Sequence, residues 1–183
     1  MSEQLIIDRL RNKDEVAFRW VVDTYRNKVY SAVINILQDQ HDAEDITQEV
    51  FIKIYDSIHG FKEESGLGTW IYRIAVNKAL DRWRSRKRKR RLQQFFGWAD
   101  NDSKHPESFF HPGIAYDKKE IAATLFKCID QLPENQKLAF TLIKIQQLKY
   151  EEAAQIMKKN IGSIESLVSR AKDNLQKLLE PYH

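Results

Sequence analysis

A chain of 183 residues with 42% hydrophobic content has room for one medium core or two small ones. With 6 Gly and 4 Pro against an abundance of Leu, Ile, Lys, Glu and Gln, the composition favours helices over a turn-rich β fold. A single cysteine excludes an internal disulfide and a cysteine-rich metal site, and the five histidines lack ligand spacing. No apolar run approaches the roughly 18 residues of a membrane span, and Met1–Leu10 mixes charges with short apolar pairs, unlike a signal peptide. The expectation is a cytoplasmic, all-α protein that needs no cofactor or metal.

The net charge of +4 hides a strong local imbalance. Eight of the ten residues from Arg82 to Arg91 are Arg or Lys, which leaves −4 for the rest of the chain. Such a block is the electrostatic footprint of a nucleic-acid binder; on charge alone a solvated basic tail stays open.

Along the chain, Phe18, Val22, Tyr25, Val29, Val33 and Ile36 step by 3 or 4 residues and predict an amphipathic helix. A second helix is expected from Asp42, as N-cap, to about Ile58. Gly60, Gly66 and Gly68 mark a loop, and a helix starting near Thr69 continues into the basic block. Periodicity fails over residues 95–118, which hold two prolines, two glycines and Phe95, Phe96, Trp98, Phe109 and Phe110; this reads as a linker whose aromatics dock on something. Helices resume near Lys119, and Leu132-Pro133-Glu134 is a helix start with Pro in the first turn. A short helix over Glu151–Met157, a three-residue break and a last helix from Ile161 make a helix-turn-helix, with Ala153 and Ala154 small enough for close crossing. A plain helical hairpin has the same pattern. The expected organisation is two small helical domains, 1–94 and 119–183, joined by a linker at 95–118, the C-terminal domain being the helix-turn-helix.

Three surfaces call for a function. On a wheel of about 100° per residue, the helix from Asp42 carries Ile46, Val50, Phe51, Ile54, Tyr55 and Ile58 on one half. Asp42, Asp45, Gln48, Glu49 and Asp56 fill most of the other half, with Ile52 alone among them. An apolar anchor inside a charged rim is the anatomy of a protein interface. On the next helix Trp70, Arg73, Asn77, Asp81 and Arg84 share one stripe. A ring to stack, an amide to pair and guanidinium groups to hold phosphate suit unstacked bases, and Phe61 in the preceding loop offers a further stacking surface. A structural role, with Trp70 packed into the core, competes with that reading. At the start of the last helix Ser163, Glu165, Ser166, Ser169 and Arg170 occupy positions from which a recognition helix reaches base edges.

These segments resemble a known family. Asp42-Ala43-Glu44-Asp45-Ile46-Thr47-Gln48-Glu49-Val50-Phe51 is similar to the polymerase-binding helix of extracytoplasmic-function RNA polymerase sigma factors. Thr69-Trp70-Ile71-Tyr72-Arg73-Ile74-Ala75-Val76-Asn77 resembles their promoter-melting segment. Leu132-Pro133-Glu134, Tyr150-Glu151-Glu152-Ala153-Ala154 and Gly162-Ser163-Ile164-Glu165-Ser166 resemble their C-terminal helix-turn-helix. The matches fall in family order and span nearly everything but the linker. The resemblance implies a transcription initiation factor, not an enzyme. Its first domain would bind core RNA polymerase and open the −10 element, and its second would bind the −35 element. Promoter DNA and an anti-sigma factor are the other implied partners. By position, Phe61, Ile74 and Asn77 match a pocket for a flipped base, and Asp45, Gln48 and Glu49 match polymerase contacts. The turn Lys158-Lys159-Asn160 departs from the Gly and Pro frequent in the family, and Glu165 and Leu167 stand where many members carry Lys or Arg.

Two other functions fit parts of the chain. A stand-alone helix-turn-helix regulator accounts for the C-terminal half but leaves the Ile52 face and the Trp70 stripe without purpose. A DNA-processing enzyme would use Asp42, Glu44, Asp45 and Glu49 as a Mg²⁺ site, but Glu44 lies away from the other three on the wheel, and no phosphate loop or nucleophile–base pair accompanies them.

Overall fold

The computed structural model describes residues 2–96 and 119–182. Eight α-helices appear among them: α1 (Glu3–Arg11), α2 (Glu15–Leu37), α3 (Gln40–Ser57), α4 (Leu67–Phe95), α5 (Lys119–Gln131), α6 (Glu134–Phe140), α7 (Tyr150–Met157) and α8 (Ile161–Leu179). The N-terminal region is a bundle of α2, α3 and α4 closed at one end by α1. The C-terminal region packs α5, α6 and α7 around α8. Trp98, Phe109 and Phe110 lie outside the described residues, whereas Phe95 and Phe96 are exposed and meet edge to face.

Local chemistry sets the helix ends. Asp14 caps α2 by accepting from the amides of Val16 and Ala17, and the Ala17 bond, followed by the hydrogen bond from Arg9, holds its carboxyl below the usual range. The third helix starts earlier than the sequence suggests. Its cap is Asp39, which accepts from the amide of Asp42 at 2.9 Å, so Asp42 sits in the first turn and not at the cap. Gln38, left-handed at φ 54°, breaks the chain just before it and leaves Asp39 extended, as a cap must be.

Helix α1 lies outside the predicted elements, and it organises the loop ahead of α4. Gly66 provides no side chain to cap α4, and the carboxylate of Glu3 accepts from the Leu67 amide at 2.9 Å in its place. Arg11 donates to the Phe61 carbonyl at 2.9 Å and pairs with Glu63 at 2.8 Å. Gly68 is needed for packing, since a Cβ there would stand 3.2 Å from the Tyr25 ring.

One apolar core runs through both regions. Ile6, Leu10, Val33, Ile54, Leu67, Ile71 and Ala75 are joined in a single cluster to Leu138, Leu142, Ala153, Ile156, Ile164 and Val168. A smaller cluster places Phe126, Ile129 and Leu132 of α5 against Ala171 and Leu175 of α8. Ile164, Val168, Ala171 and Leu175 are the buried stripe that the spacing predicts. Ala153 is fully buried where α7 meets α8. The α6 helix widens into a π-turn over Thr141–Ile145, which re-aims the chain toward α7.

Polar contacts also join the regions. Tyr72 of α4 donates to Gln146 at 2.7 Å, and the Gln146 amide donates to the Ser31 carbonyl of α2 at 3.0 Å. Burial, reinforced by Glu152, pushes the Tyr72 phenol well up, so it stays protonated and able to donate. Gln38 donates to the Phe126 carbonyl at 3.0 Å. Trp83 of α4 donates from its indole to Asp130 of α5 at 3.1 Å, and the same carboxylate pairs with Lys137 of α6 at 2.7 Å. Lys137 is only 2% exposed and lies 4.9 Å from the Trp83 ring centroid. Trp83 thus covers an ion pair that belongs to the C-terminal region.

Candidate nucleic-acid and partner interfaces

On α3, Ile46, Val50, Phe51 and Ile54 face the core, and this fixes what the opposite side presents. Asp45, Gln48 and Ile52 are exposed, Ile52 at 61%. Glu49 differs from its neighbours. It pairs with Lys78 at 2.6 Å and Arg82 at 3.7 Å, both on α4. Asp42 and Asp39 hold Arg86, at 2.8 and 3.3 Å. One edge of the acidic face is therefore stitched to the basic helix, and Asp45, Gln48 and Ile52 form its open part. Among the described residues no group of three or more His, Cys, Asp or Glu side chains could hold a metal ion.

The α4 stripe is graded from loop to basic block. Phe61 is 3% exposed, with the Trp70 ring over it at 5.0 Å and 37° between planes. The open stacking surface expected of Phe61 is absent in this conformation. The ring fills the gap between loop and helix, because Arg11 pins the Phe61 backbone. The half-buried Trp70 is the aromatic nearer solvent, and it takes part in the core as well. Arg73 and Ile74 are half-buried, and Asn77 is exposed one turn beyond Arg73. Arg84 is engaged already: it pairs with Asp81 at 3.2 Å and reaches Glu134 of α6, with Nε donating at 3.0 Å. The Glu134 carboxylate, more than Asp81, raises its pKa above the ordinary value. In the basic block Arg88, Lys89 and Arg91 are exposed.

The start of α8 is open. Asn160 caps it by accepting from the Ser163 amide at 2.7 Å, which orients the first turn. Lys158 makes the preceding bend at φ 53°, a left-handed position that a glycine fills with less strain. Glu165, Ser166, Ser169 and Arg170 are exposed and Ser163 is half-buried. A hollow of about 420 Å³ lies beside them, with Lys159 and Arg170 in its wall. Donors at the N-terminal end of a helix, with flanking cations, suit phosphate and base edges.

Sequence reasoning missed several residues of these surfaces. Glu134 is legible only as part of a helix start and Lys78 carries no signal of its own, since each acquires its ion-pairing role from a partner on another helix. The acidic run of α3 and the basic run of α4 are visible separately, and their charge complementarity is the one clue that the two helices lie side by side.

Two family models match separate parts of the chain. Residues 21–89 match the family model described as sigma-70 region 2, and residues 119–175 match that for sigma-70 region 4. The RNA polymerase sigma-H factor of Pseudomonas aeruginosa is 33% identical over 187 residues, covering 98% of this chain and 95% of that protein. The ECF RNA polymerase sigma-E factor of Escherichia coli is 30% identical over 190 residues, covering 99% and 96%. Among solved structures, the Bartonella quintana sigma factor RpoE in complex with the anti-sigma factor NepR superposes with a TM-score of 0.65 at 27% identity, over 89% of this chain and 96% of that one. The structure of CnrH in complex with the cytosolic domain of CnrY shares the fold, with a TM-score of 0.69 at 16% identity over 98% and 97%.

Proposed function

Because the chain belongs to the extracytoplasmic-function family of RNA polymerase sigma factors, we propose that it binds core RNA polymerase through Asp45, Gln48 and Ile52 of α3 and directs it to promoters. Glu49 borders that surface, and its pairing with Lys78 and Arg82 limits it to a share of the contact. Residues 1–94 act on the −10 element and residues 119–183 on the −35 element, with 95–118 between them. Ser163, Glu165, Ser166, Ser169 and Arg170 read duplex DNA. Trp70, Arg73 and Asn77 handle unpaired bases, with Phe61 and Ile74 supporting the pocket and Arg84 available for phosphate once it leaves Glu134. The protein works as a binding factor in the cytoplasm and performs no reaction of its own. No described helix is long and apolar enough to cross a membrane. An anti-sigma factor is a further partner, as in the solved complex of the Bartonella relative.

The observation that carries the reading is the placement of the exposed Ile52, ringed by carboxylates, on a helix ion-paired to the one bearing the Trp70–Asn77 stripe. One compact region can then hold polymerase and melted DNA together. The packing of the two regions also limits their reach. A compact body of this length is ~40 Å across, whereas roughly 25 base pairs separate the two elements, ~85 Å at 3.4 Å per pair. The regions must part for both to engage one promoter, and that frees Arg84. The test is reconstitution. The chain should co-purify with core polymerase and support promoter-dependent run-off transcription. Avid, sequence-specific binding of duplex DNA by the chain alone, with no polymerase affinity, would make it a stand-alone regulator instead.

A further inference from the structure

Where the two regions meet, the inner side of the basic block and α5 enclose a cavity of about 530 Å³. Arg86, Lys87 and Arg90 of α4 line one side and Lys127 of α5 the other, with Leu37 and Phe126 as apolar wall. Such a volume is that of an ordinary small-molecule site. The charges around it are poorly balanced. Of the four cations, ion pairs among the described residues join only Arg86 to carboxylates, those of Asp39 and Asp42. Lys87 lies over the Trp83 ring at 4.6 Å. Asp130, also in the wall, is held by Lys137 and by the Trp83 indole, and it is the one wall carboxylate that the Arg90 charge acts on, without an ion-pair contact. The positive charges of Lys87 and Arg86 also bear on the buried Lys137 ammonium. Closing the regions therefore sets Lys127 of α5 against Arg86, Lys87 and Arg90 of α4, four wall cations from two sides, and a concave site with low-dielectric walls concentrates their field.

We propose that this cleft binds a multivalent phosphate-bearing anion, an oligophosphate either free or carried by a nucleotide, and that the bound anion ties α4 to α5. The phosphates lie between Arg90, Lys87 and Lys127, where each removes repulsion that closure creates. Leu37 and Phe126, both buried, supply the apolar wall beside them. Lys127 is the decisive residue. It is exposed, lies outside the basic block and comes from the other region, so diffuse attraction to residues 82–91 does not depend on it.

Calorimetric titration of the full chain with sodium tripolyphosphate, at constant ionic strength, tests this. One saturable site is expected. Lys127→Ala and Arg90→Ala should each weaken it roughly tenfold, as expected when one charge-assisted hydrogen bond is removed. Arg88→Ala, an exposed residue outside the cavity wall, should change affinity less than twofold. A parallel titration with ATP identifies the source: tighter binding than tripolyphosphate assigns the site to a nucleotide, and equal binding assigns it to the phosphate chain alone. Adenosine should not bind. Absence of saturable binding overturns the proposal. So does an Arg88→Ala effect as large as that of Lys127→Ala, which would reduce the anion to a counter-ion of the basic block.

Discussion

Replacing Asp130 by Asn removes the carboxylate that faces Lys137 while keeping the shape of the site. Lys137 is 2% exposed on its side chain and Asp130 is 40% exposed. Burial alone would push Asp130 up, but the Lys137 charge and hydrogen bonds from Lys137 and Trp83 outweigh it and hold the carboxyl below its usual 3.8. Burial pushes Lys137 below its usual 10.5, with Asp130 opposing. Breaking a fully buried pair costs ~3–5 kcal/mol. Water reaches Asp130, so about 2–3 kcal/mol is the appropriate figure here. Because Trp83 forms the cover, Lys137 escapes its penalty by separation of the regions, without unfolding of either. The closed fraction should fall, with the open–closed equilibrium moving roughly 30- to 150-fold. Dyes on Lys53→Cys and Lys172→Cys report the distance between regions, since both positions are exposed and the native Cys128 is buried. The double variant Asp130→Asn/Lys137→Met should close again, because it leaves no uncompensated charge. With Lys137 depressed, the opened or unfolded chain binds more protons in the window just below 10.5, so raising pH through that window favours the closed fold. The variant should therefore approach the parent as pH rises toward that value. In the parent, the Asp130 contribution is present above 3.8 and is lost as pH falls through its lowered pKa. An unchanged distance distribution and melting temperature in Asp130→Asn would refute the reasoning.

Ile52→Asp should weaken binding to core polymerase by roughly 30-fold, about 2 kcal/mol for a central anchor, with little change in melting temperature; unaltered affinity by fluorescence anisotropy would remove α3 from the interface. Glu49→Lys is a poorer probe, since it would set a third cation beside Lys78 and Arg82 and loosen α3 from α4. Asn77→Ala holoenzyme should bind duplex promoter nearly as well as the parent but show weaker permanganate reactivity of unpaired thymines, because a flipped base must regain a few kcal/mol from its pocket. Equal reactivity would return the stripe to a structural role. Glu165→Ala should relax preference at one base position by about 1–3 kcal/mol, read by competition among single-substituted duplexes, whereas a uniform gain would mark Glu165 as a repulsive charge. Neutralising Arg88, Lys89 and Arg91, which leaves the paired Arg86 in place, should lower the salt slope of holoenzyme–promoter binding by roughly 0.9 for each phosphate that these side chains no longer neutralise. An unaltered slope would make that end of α4 a solvated tail.

The surfaces that depend on one helix were legible from sequence. Ile164, Val168, Ala171 and Leu175 recur at helical spacing, so burial of one side of α8 leaves Glu165, Ser169 and Arg170 outside. The same argument exposes Ile52 on α3 and Asn77 on α4. Helical period is written within four or five residues, and a wheel recovers it. The remaining features depend on pairs far apart in the chain. Phe61 reads as an open ring, yet it is buried because Arg11, 50 residues earlier, fixes its backbone under Trp70. Glu3 becomes the cap of a helix 64 residues away. Arg84 reads as a phosphate ligand, and the approach of α6 gives it Glu134. Lys137 sits in a helix whose sequence gives no sign that a lysine will be enclosed; the docking of Trp83 against Asp130 sets a ring centroid 4.9 Å from its ammonium. Sequence determined which face each helix shows to solvent. Tertiary packing decided which of those faces meet, because burial and charge pairing between helices depend on relative placement and local periodicity contains no information about it.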